Sequence, residues 1–302
     1  MANQTGTSGN WGRWGDDDER GALNILTPEH VLGGVAAIRT GRVYSLGIPI
    51  QASDVPLLDF RGKPMRLTLQ DATDEGNYAR HGCAEGTGAH EDVMIFASHT
   101  TSHMDALVHV YEDHKHYNGF DYRVMKARTG ATRLGIENVG GFAARAVLLD
   151  FPRYFGEDVD WIAPGRMLSS DDLAGCAARQ GTEIRAGDVV LIRTGHLQFW
   201  YANQAEPGHR QAGIGVEAAE WLAERDVVAV GSDNAAVEVI PFDGNDFLAV
   251  HKVLLVRCGI YLLEYLDLSG PAADGAYEGL VTVAPLKVTG ATGSPINPVF
   301  VA

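Results

Sequence analysis

The sequence predicts an α/β fold with at least part of its sheet parallel. Three observations carry that expectation. Residues 145–150, 188–193 and 226–231 are short apolar runs, the pattern of strands buried on both faces. Helical capping and spacing signals lie between those runs. The 36 glycines are scattered rather than clustered, which implies many turns between short elements.

Taken in chain order, residues 1–26 read as an irregular N-terminal arm carrying the acidic run Asp16-Asp17-Asp18-Glu19. Thr27-Pro28-Glu29 then starts a helix. Thr27 can accept from free backbone N–H groups, Pro28 suits the first helical position, and Glu29 favours the positive end of the dipole. That helix is expected to run to Gly41. The strand at 145–150 is followed by a helix from Ser169 or Ser170 to Gln180, which Gly181 ends. The strand at 188–193, a helix over 216–225 and the strand at 226–231 come next. A helix over 246–257 stops at Gly259, and strands over 260–268 and 280–288 complete the chain. Residues 27–302 are expected to form one domain.

Composition narrows the function. Hydrophobic residues at 45 % against 21 % charged describe a folded chain rather than a disordered one. Lys and Arg number 24 against 39 Asp and Glu, a net charge of −15. Phosphate binding depends on cationic side chains, so no nucleic-acid partner and no anionic membrane surface is expected. The three cysteines, Cys83, Cys176 and Cys258, lie far apart. They support neither a disulfide framework nor a zinc ribbon, and a reducing compartment fits them. Cys83 reads as a small buried residue rather than a nucleophile. Residues 1–10 lack a basic and apolar leader pattern, and no apolar run reaches the length of a span. A cytoplasmic protein is the expectation. Phosphate-cradling glycine loops and a Gly-x-Ser-x-Gly elbow are missing, so no nucleotide cofactor and no serine nucleophile is expected.

Chemistry concentrates in one window. Seven of the eleven histidines fall between His81 and His116, where an even spread would place about one. The centre of this cluster is His99-Thr-Thr-Ser-His103-Met-Asp105-Ala-Leu-Val-His109. All four reacting positions are odd, so on a strand they project from one face. The β-branched Thr100 and Thr101 favour that backbone. Two imidazoles and a carboxylate on one face suit Zn, Mn or Fe. The helical His-Glu-x-x-His protease pattern fails, because Thr100 stands where its glutamate must be. His114 and His116, in a polar stretch, read as surface or pocket-rim residues.

This stretch resembles the signature H-x-G-T-H-x-D-x-P-x-H of the metal-dependent hydrolases known as the cyclase family, which includes bacterial kynurenine formamidase and isatin hydrolase. Thr101-Ser102 replaces the family's Gly-Thr, and Leu107 replaces its Pro. The segments from Trp14 to Asn24, Tyr117 to Phe120 and Gly290 to Pro295 resemble the same family. The resemblance implies a single α/β domain on a β-barrel-like mixed sheet flanked by helices, commonly a homo-oligomer (dimer or tetramer). It implies His99, His103 and Asp105 as metal ligands, His109 as the general acid/base, and a later His and Glu completing the site. His251 and Glu264 are the candidates. Glu264 stands inside the apolar run Leu262-Leu263-Glu264-Tyr265-Leu266, and a buried carboxylate needs a cation or strong donors.

The expected activity is hydrolysis of a small amide, formamide or cyclic amide by metal-activated water, with one or two divalent ions, Zn or Mn. If two ions bind, the resemblance to the formamidases implies that Asp105 bridges them. A metal-dependent cyclase, dehydratase or lactone hydrolase is a second reading, and a non-enzymatic metal-binding module a third. Asp233 and Asn234 follow an apolar strand and are expected to orient a ligand or the substrate. Arg193-Thr194-Gly195-His196 stands in a comparable position, and Trp11, Trp14 and Phe60 are aromatic candidates for a pocket wall.

Overall fold

The apolar runs become strands of a nine-stranded sheet in a computed structural model of the chain. It describes residues 9–302 except 75, 77, 79, 85 and 205–208, so the first eight residues of the expected arm lie outside the described residues. Helix α1 (Pro28–Ala36) leads to β1 (Val43–Ser45). A separate ribbon, β2 (Met65–Gln70) with β3 (Glu91–Ile95), precedes β4 (His103–Asp105) and a hairpin of β5 (Met125–Lys126) and β6 (Gly130–Ala131). The centre follows: β7 (Phe142–Asp150), α2 (Phe151–Phe155), β8 (Met167–Leu168), α3 (Ser170–Gln180) and β9 (Val189–Arg193). Then come α4 (His196–Asn203), β10 (Gly213–Ile214), α5 (Val216–Ala223) and β11 (Ala229–Ser232). Helix α6 (Ala249–His251) widens into a π-helical stretch, Lys252–Cys258, before β12 (Tyr261–Glu264). Helix α7 (Ser269–Ala273), β13 (Glu278–Val283), β14 (Gly293–Pro295) and β15 (Val299–Val301) end the chain.

The sheet order is β1-β15-β13-β7-β9-β11-β12-β4-β14. Its centre, β7-β9-β11-β12, is parallel, as the unbroken apolar runs predicted. Its flanks are antiparallel, β13, β15 and β1 on one side and β4 with β14 on the other. The sheet curls as a half-barrel with helices against it, the mixed α/β architecture expected. Strands β9, β11 and β12 are buried throughout, because sheet neighbours and covering helices leave neither face to water.

Local chemistry sets several boundaries. Ser169 and Asp172 cap the start of α3 reciprocally, and Gly181 ends it in the left-handed region. Helix α1 starts at Pro28 but stops at Ala36, not Gly41, because the Thr40 and Gly41 N–H groups turn to the carbonyl of Ala302. The helix expected over 246–257 begins only at Ala249, after Leu248 takes φ 55°. Gly259 stops its continuation as anticipated. The strand expected over 260–268 ends at Glu264 because Tyr265 takes φ 54° and leaves the ladder. The strand expected over 280–288 starts at Glu278 and ends at Val283, and Leu286 N–H then donates to the Ser294 hydroxyl.

The N-terminal arm is strapped to the body. Asn10 N–H donates to Arg257 O at 2.9 Å, and Trp11 Nε1 donates to Val256 O at 2.7 Å. The Asp18 carboxylate accepts from Gly21 N–H, Asn24 Nδ2 and the Tyr117 hydroxyl. Trp11 is thus spent on holding the arm rather than on a pocket wall. Among the described residues no helix is long and apolar enough to cross a membrane.

Candidate metal centre

Strand register builds the first half of the site. Strand β4 lies between β12 and β14, with His103 opposite Glu264 and Asp105 opposite Gly293. Opposed residues of an antiparallel pair share a face, so His103 Nε2 comes within 3.0 Å of Glu264 Oε2. Asp105, two residues along, points the same way. The expected strand over 99–109 is therefore shorter than its pattern suggested: only His103–Asp105 joins the ladder. His99 arrives from the turn before it, and His109 from the tight turn after it, whose N–H bonds Ala106 O at 2.9 Å.

The fold nevertheless brings the candidate ligands together. His99 Nδ1 lies 2.8 Å from Asp105 Oδ1, and His103 Nε2 lies 3.7 Å from the same oxygen. His251, at the junction of α6 and the π-helical stretch, places Nε2 3.3 Å from Glu264 Oε1 and 3.6 Å from Asp105 Oδ2. Two ligand groups result, His99-His103-Asp105 and Asp105-His251-Glu264, with Asp105 common to both. All five residues are buried. Gly293 is a requirement of this packing, since a Cβ there would stand 2.6 Å from His99 Cε1.

Each imidazole is held from behind. His103 Nδ1 is 2.6 Å from Thr101 O, and a carbonyl only accepts, so Nδ1 carries the proton and Nε2 is the free base. His251 Nδ1 is 2.5 Å from Glu238 Oε1, which likewise frees Nε2. His99 Nε2 meets Thr292 Oγ1 at 3.0 Å and turns Nδ1 inward. Three lone pairs thus converge on two carboxylates, the supporting arrangement metal-binding histidines need. The inward atoms find no hydrogen bond: His99 Nδ1, His103 Nε2, both Asp105 oxygens and Glu264 Oε1 are buried and unpartnered. Orphaned buried polar atoms of this kind are costly. A divalent cation satisfies all of them at once, so the residues present fit a metal.

Electrostatics agree with that donor set. Burial resists charge on Asp105, yet the imidazoles of His109, His99 and His103 hold its carboxyl far below the usual range. Burial and Asp105 push Glu264 up, but His103 and His251 outweigh them and its pKa falls. Burial holds His99 below its ordinary value. Burial also opposes charge on His251, but Glu238 and Glu264 overcome it and raise the ring to about 10, so without a cation Nε2 keeps a proton directed at Glu264, and a bound cation would take that proton's place.

His109 differs from the other three. Its ring stacks on His99 with centroids 4.1 Å apart, and 6.3 Å separates it from the His251 ring. It belongs to neither ligand group, and it is half-buried with an edge on a cavity of about 450 Å³. Burial pushes its pKa down to about 3, with Asp105 and Glu264 opposing.

Other candidates lie elsewhere. Asp233 is buried, and its carboxylate accepts from Thr194 N–H, Thr194 Oγ1 and Gly195 N–H at the start of α4, away from the ligands. Asn234 donates to Ala212 O and accepts from Val237 N–H, which shapes the turn leading to Glu238. It reaches the centre indirectly, through Glu238 and His251 and through Glu264's neighbour Tyr265, whose N–H donates to the Asn234 carbonyl at 2.9 Å. Arg193 is consumed by Asp150 and Asp160. His114 is exposed; His116 is buried rather than solvated, with Nδ1 against Val110 O at 2.9 Å, and lines the cavity on which His109 opens, as the pocket-rim alternative expected. Cys83 is exposed, not buried, whereas Cys176 and Cys258 are buried. Sequence reasoning missed Glu238, Thr292 and Arg61, which donates to the His99 carbonyl. Glu238 carried a usable signal, a carboxylate inside the apolar run Val237-Glu238-Val239.

Comparison with known proteins follows the same lines. The family model described as "Putative cyclase" matches residues 44–239. The crystal structure of a novel cyclase superposes with a TM-score of 0.86 at 33 % identity, covering 97 % of each chain. Isatin hydrolase A from Labrenzia aggregata shares the fold at a TM-score of 0.61 and 18 % identity, over 90 % of this chain and 97 % of its own. Cyclase-like protein 3 of Oryza sativa subsp. japonica is 28 % identical over 218 residues, 72 % of this chain and 67 % of the rice protein.

Proposed function

The chain belongs to the cyclase family, and on that premise we propose that it is a metal-dependent hydrolase opening the C–N bond of a small amide, formamide or cyclic amide. The observation that carries this reading is the set of inward-facing, unpartnered ligand atoms backed by anchored imidazoles, with a fourth histidine beside them on an open cavity. His99, His103 and Asp105 would hold one ion, and Asp105, His251 and Glu264 a second. A divalent ion such as zinc or manganese supplies Lewis acidity there, lowering the pKa of water toward about 7 and polarising a carbonyl.

The chain's own residues do the rest. Thr101, Thr292 and Glu238 fix which nitrogen of each imidazole faces inward. Burial keeps His109 neutral, the form whose ring nitrogen accepts a proton. Protonated in transit, the same ring can pass that proton to a departing amine, and its low pKa makes it a ready donor. The related structure of isatin hydrolase, a hydrolase by its name, supports hydrolysis over ring closure.

Elemental analysis of protein purified without chelator is expected to give one or two equivalents of zinc or manganese, lost in His103→Ala. His109→Ala is expected to keep the metal and lose about 10²–10⁴-fold in kcat on a cleavable amide. Product mass separates hydrolysis, which adds water, from dehydrative ring closure, which removes it. Metal-loaded protein that cleaves nothing in a broad panel of amides, formamides and lactams, with His109→Ala indistinguishable from it, would end this reading.

A further inference from the structure

The cavity on which His109 opens has an unusual wall for so acidic a chain. Its volume is about 450 Å³, and it is lined by Tyr111, Tyr122, Arg123 and Lys126 together with His109 and Thr292. Among the described residues no carboxylate lines it, although acidic residues outnumber basic ones 39 to 24 in the sequence. Arg123 is committed to Asp121 through a two-pronged ion pair, Nε to Oδ1 at 2.7 Å and Nη2 to Oδ2 at 2.8 Å. Lys126 has no ion-pair partner among the described residues, which leaves an uncompensated cation on the wall.

The fold fixes the backbone that carries that cation relative to His109. Lys126 sits on the β5–β6 hairpin opposite Gly130. The neighbouring Ala131 N–H donates to Gly290 O at 2.8 Å. Gly130, at φ 74°, approaches that carbonyl so closely that a Cβ would stand 2.5 Å from it. Two residues after Gly290 comes Thr292, which holds His99. The hairpin is thus clamped to the segment that orients a metal ligand. The exposed Tyr111 and Tyr122 rings, with centroids 5.6 Å apart and planes tilted by 40°, add two aromatic faces to the same wall.

We infer that the substrate is an amide carrying a carboxylate on a planar body, and that Lys126 selects it by pairing with that carboxylate while the amide lies at His109. This rests on the hydrolase reading and specifies its substrate class. A lone cation on the cavity wall draws the anion in, and the clamped hairpin that carries it limits how far from His109 the anion can bind.

The test pairs 4-formamidobenzoate with its neutral isostere 4-formamidobenzamide on the metal-loaded enzyme. The acid is expected to be favoured in kcat/KM by about tenfold, the scale of one charge-assisted hydrogen bond. Lys126→Gln is expected to abolish that preference through KM with kcat retained, and Lys126→Arg to keep it. Lys126 is exposed, so both variants fold, which a thermal melt verifies. Equal use of the two substrates by the wild type, or a preference that survives in Lys126→Gln, overturns the inference and leaves hydrolysis standing. Calorimetric titration with the product 4-aminobenzoate supplies a readout without turnover. If neither formamide is cleaved, hydrolysis of this class fails, while about tenfold weaker binding of 4-aminobenzoate to Lys126→Gln still upholds the anion site and equal binding refutes it.

Discussion

Glu238 shows how much a residue can matter without facing the centre. It is fully buried, and its carboxylate receives the His251 Nδ1 proton together with the Val250 and His251 N–H groups. Removing its charge leaves the five ligand atoms in place but frees the His251 ring to choose the other tautomer. Partners of this kind are worth about 10–100-fold in metal affinity. Glu238→Gln is expected to show that loss in competition with a chromophoric chelator, whereas His109→Ala leaves the affinity near wild type. An unchanged affinity in Glu238→Gln would remove the orienting role. The ligand core was legible because His99, His103, Asp105 and His109 lie within eleven consecutive positions. Glu238 offered the same cue as Glu264, a carboxylate among apolar neighbours, and only the resemblance distinguished the two. Thr292 offered none, since a hydroxyl acquires meaning only when β14 pairs beside β4.

At the scale of elements, periodicity identified what was long and buried and failed where strands are short. Strands β7, β9 and β11 follow from apolar runs, but β4 contributes just His103–Asp105. The odd-number rule holds for His103 and Asp105 because both lie in the ladder. His99 and His109 reach the same place by turns that no alternation describes. Helix α4 carries a further consequence. Its first residue, His196, is buried, its Nε2 has no partner, and burial lowers its pKa to about 4. The positive end of the helix disfavours a charge there as well. With the folded value below the unfolded 6.5, the unfolded chain binds the extra proton. Stability from this group is complete above pH 6.5 and is lost as the pH falls toward 4, by at most about 3 kcal/mol. Denaturant unfolding of wild type and His196→Gln at pH 7.5 and pH 5 is expected to show a smaller acid loss in the variant. The same loss in both proteins would assign the acid sensitivity elsewhere.

Over the whole molecule, the sheet and the metal centre are one construction. Strands β4 and β12, the α6 junction and the segment beside β14 each contribute to the site, so its ligands and the residues that orient them come from sequence positions 99 to 292 that only the folded half-barrel brings together. The parallel centre of that half-barrel was readable from its apolar runs, whereas its curl and short antiparallel flanks came only through the family resemblance. The price of assembling the site falls on the ion-free state, which buries Asp105, Glu264 and Glu238 in a chain of net charge −15 with several inward atoms unpartnered. An ion that binds only the folded form adds RT ln(1 + [L]/Kd), about 2.7 kcal/mol at a hundredfold excess over Kd. For a chain of this size that corresponds to a shift of roughly 5 °C or more in Tm. Thermal melts with and without a strong chelator are expected to differ by that amount, and re-addition of zinc or manganese restores the higher value. Asp105→Asn, which weakens the one ligand common to both groups, is expected to melt at a temperature the chelator no longer changes. A wild-type protein shown to contain metal, yet melting identically with and without chelator, would uncouple the centre from the fold that carries it.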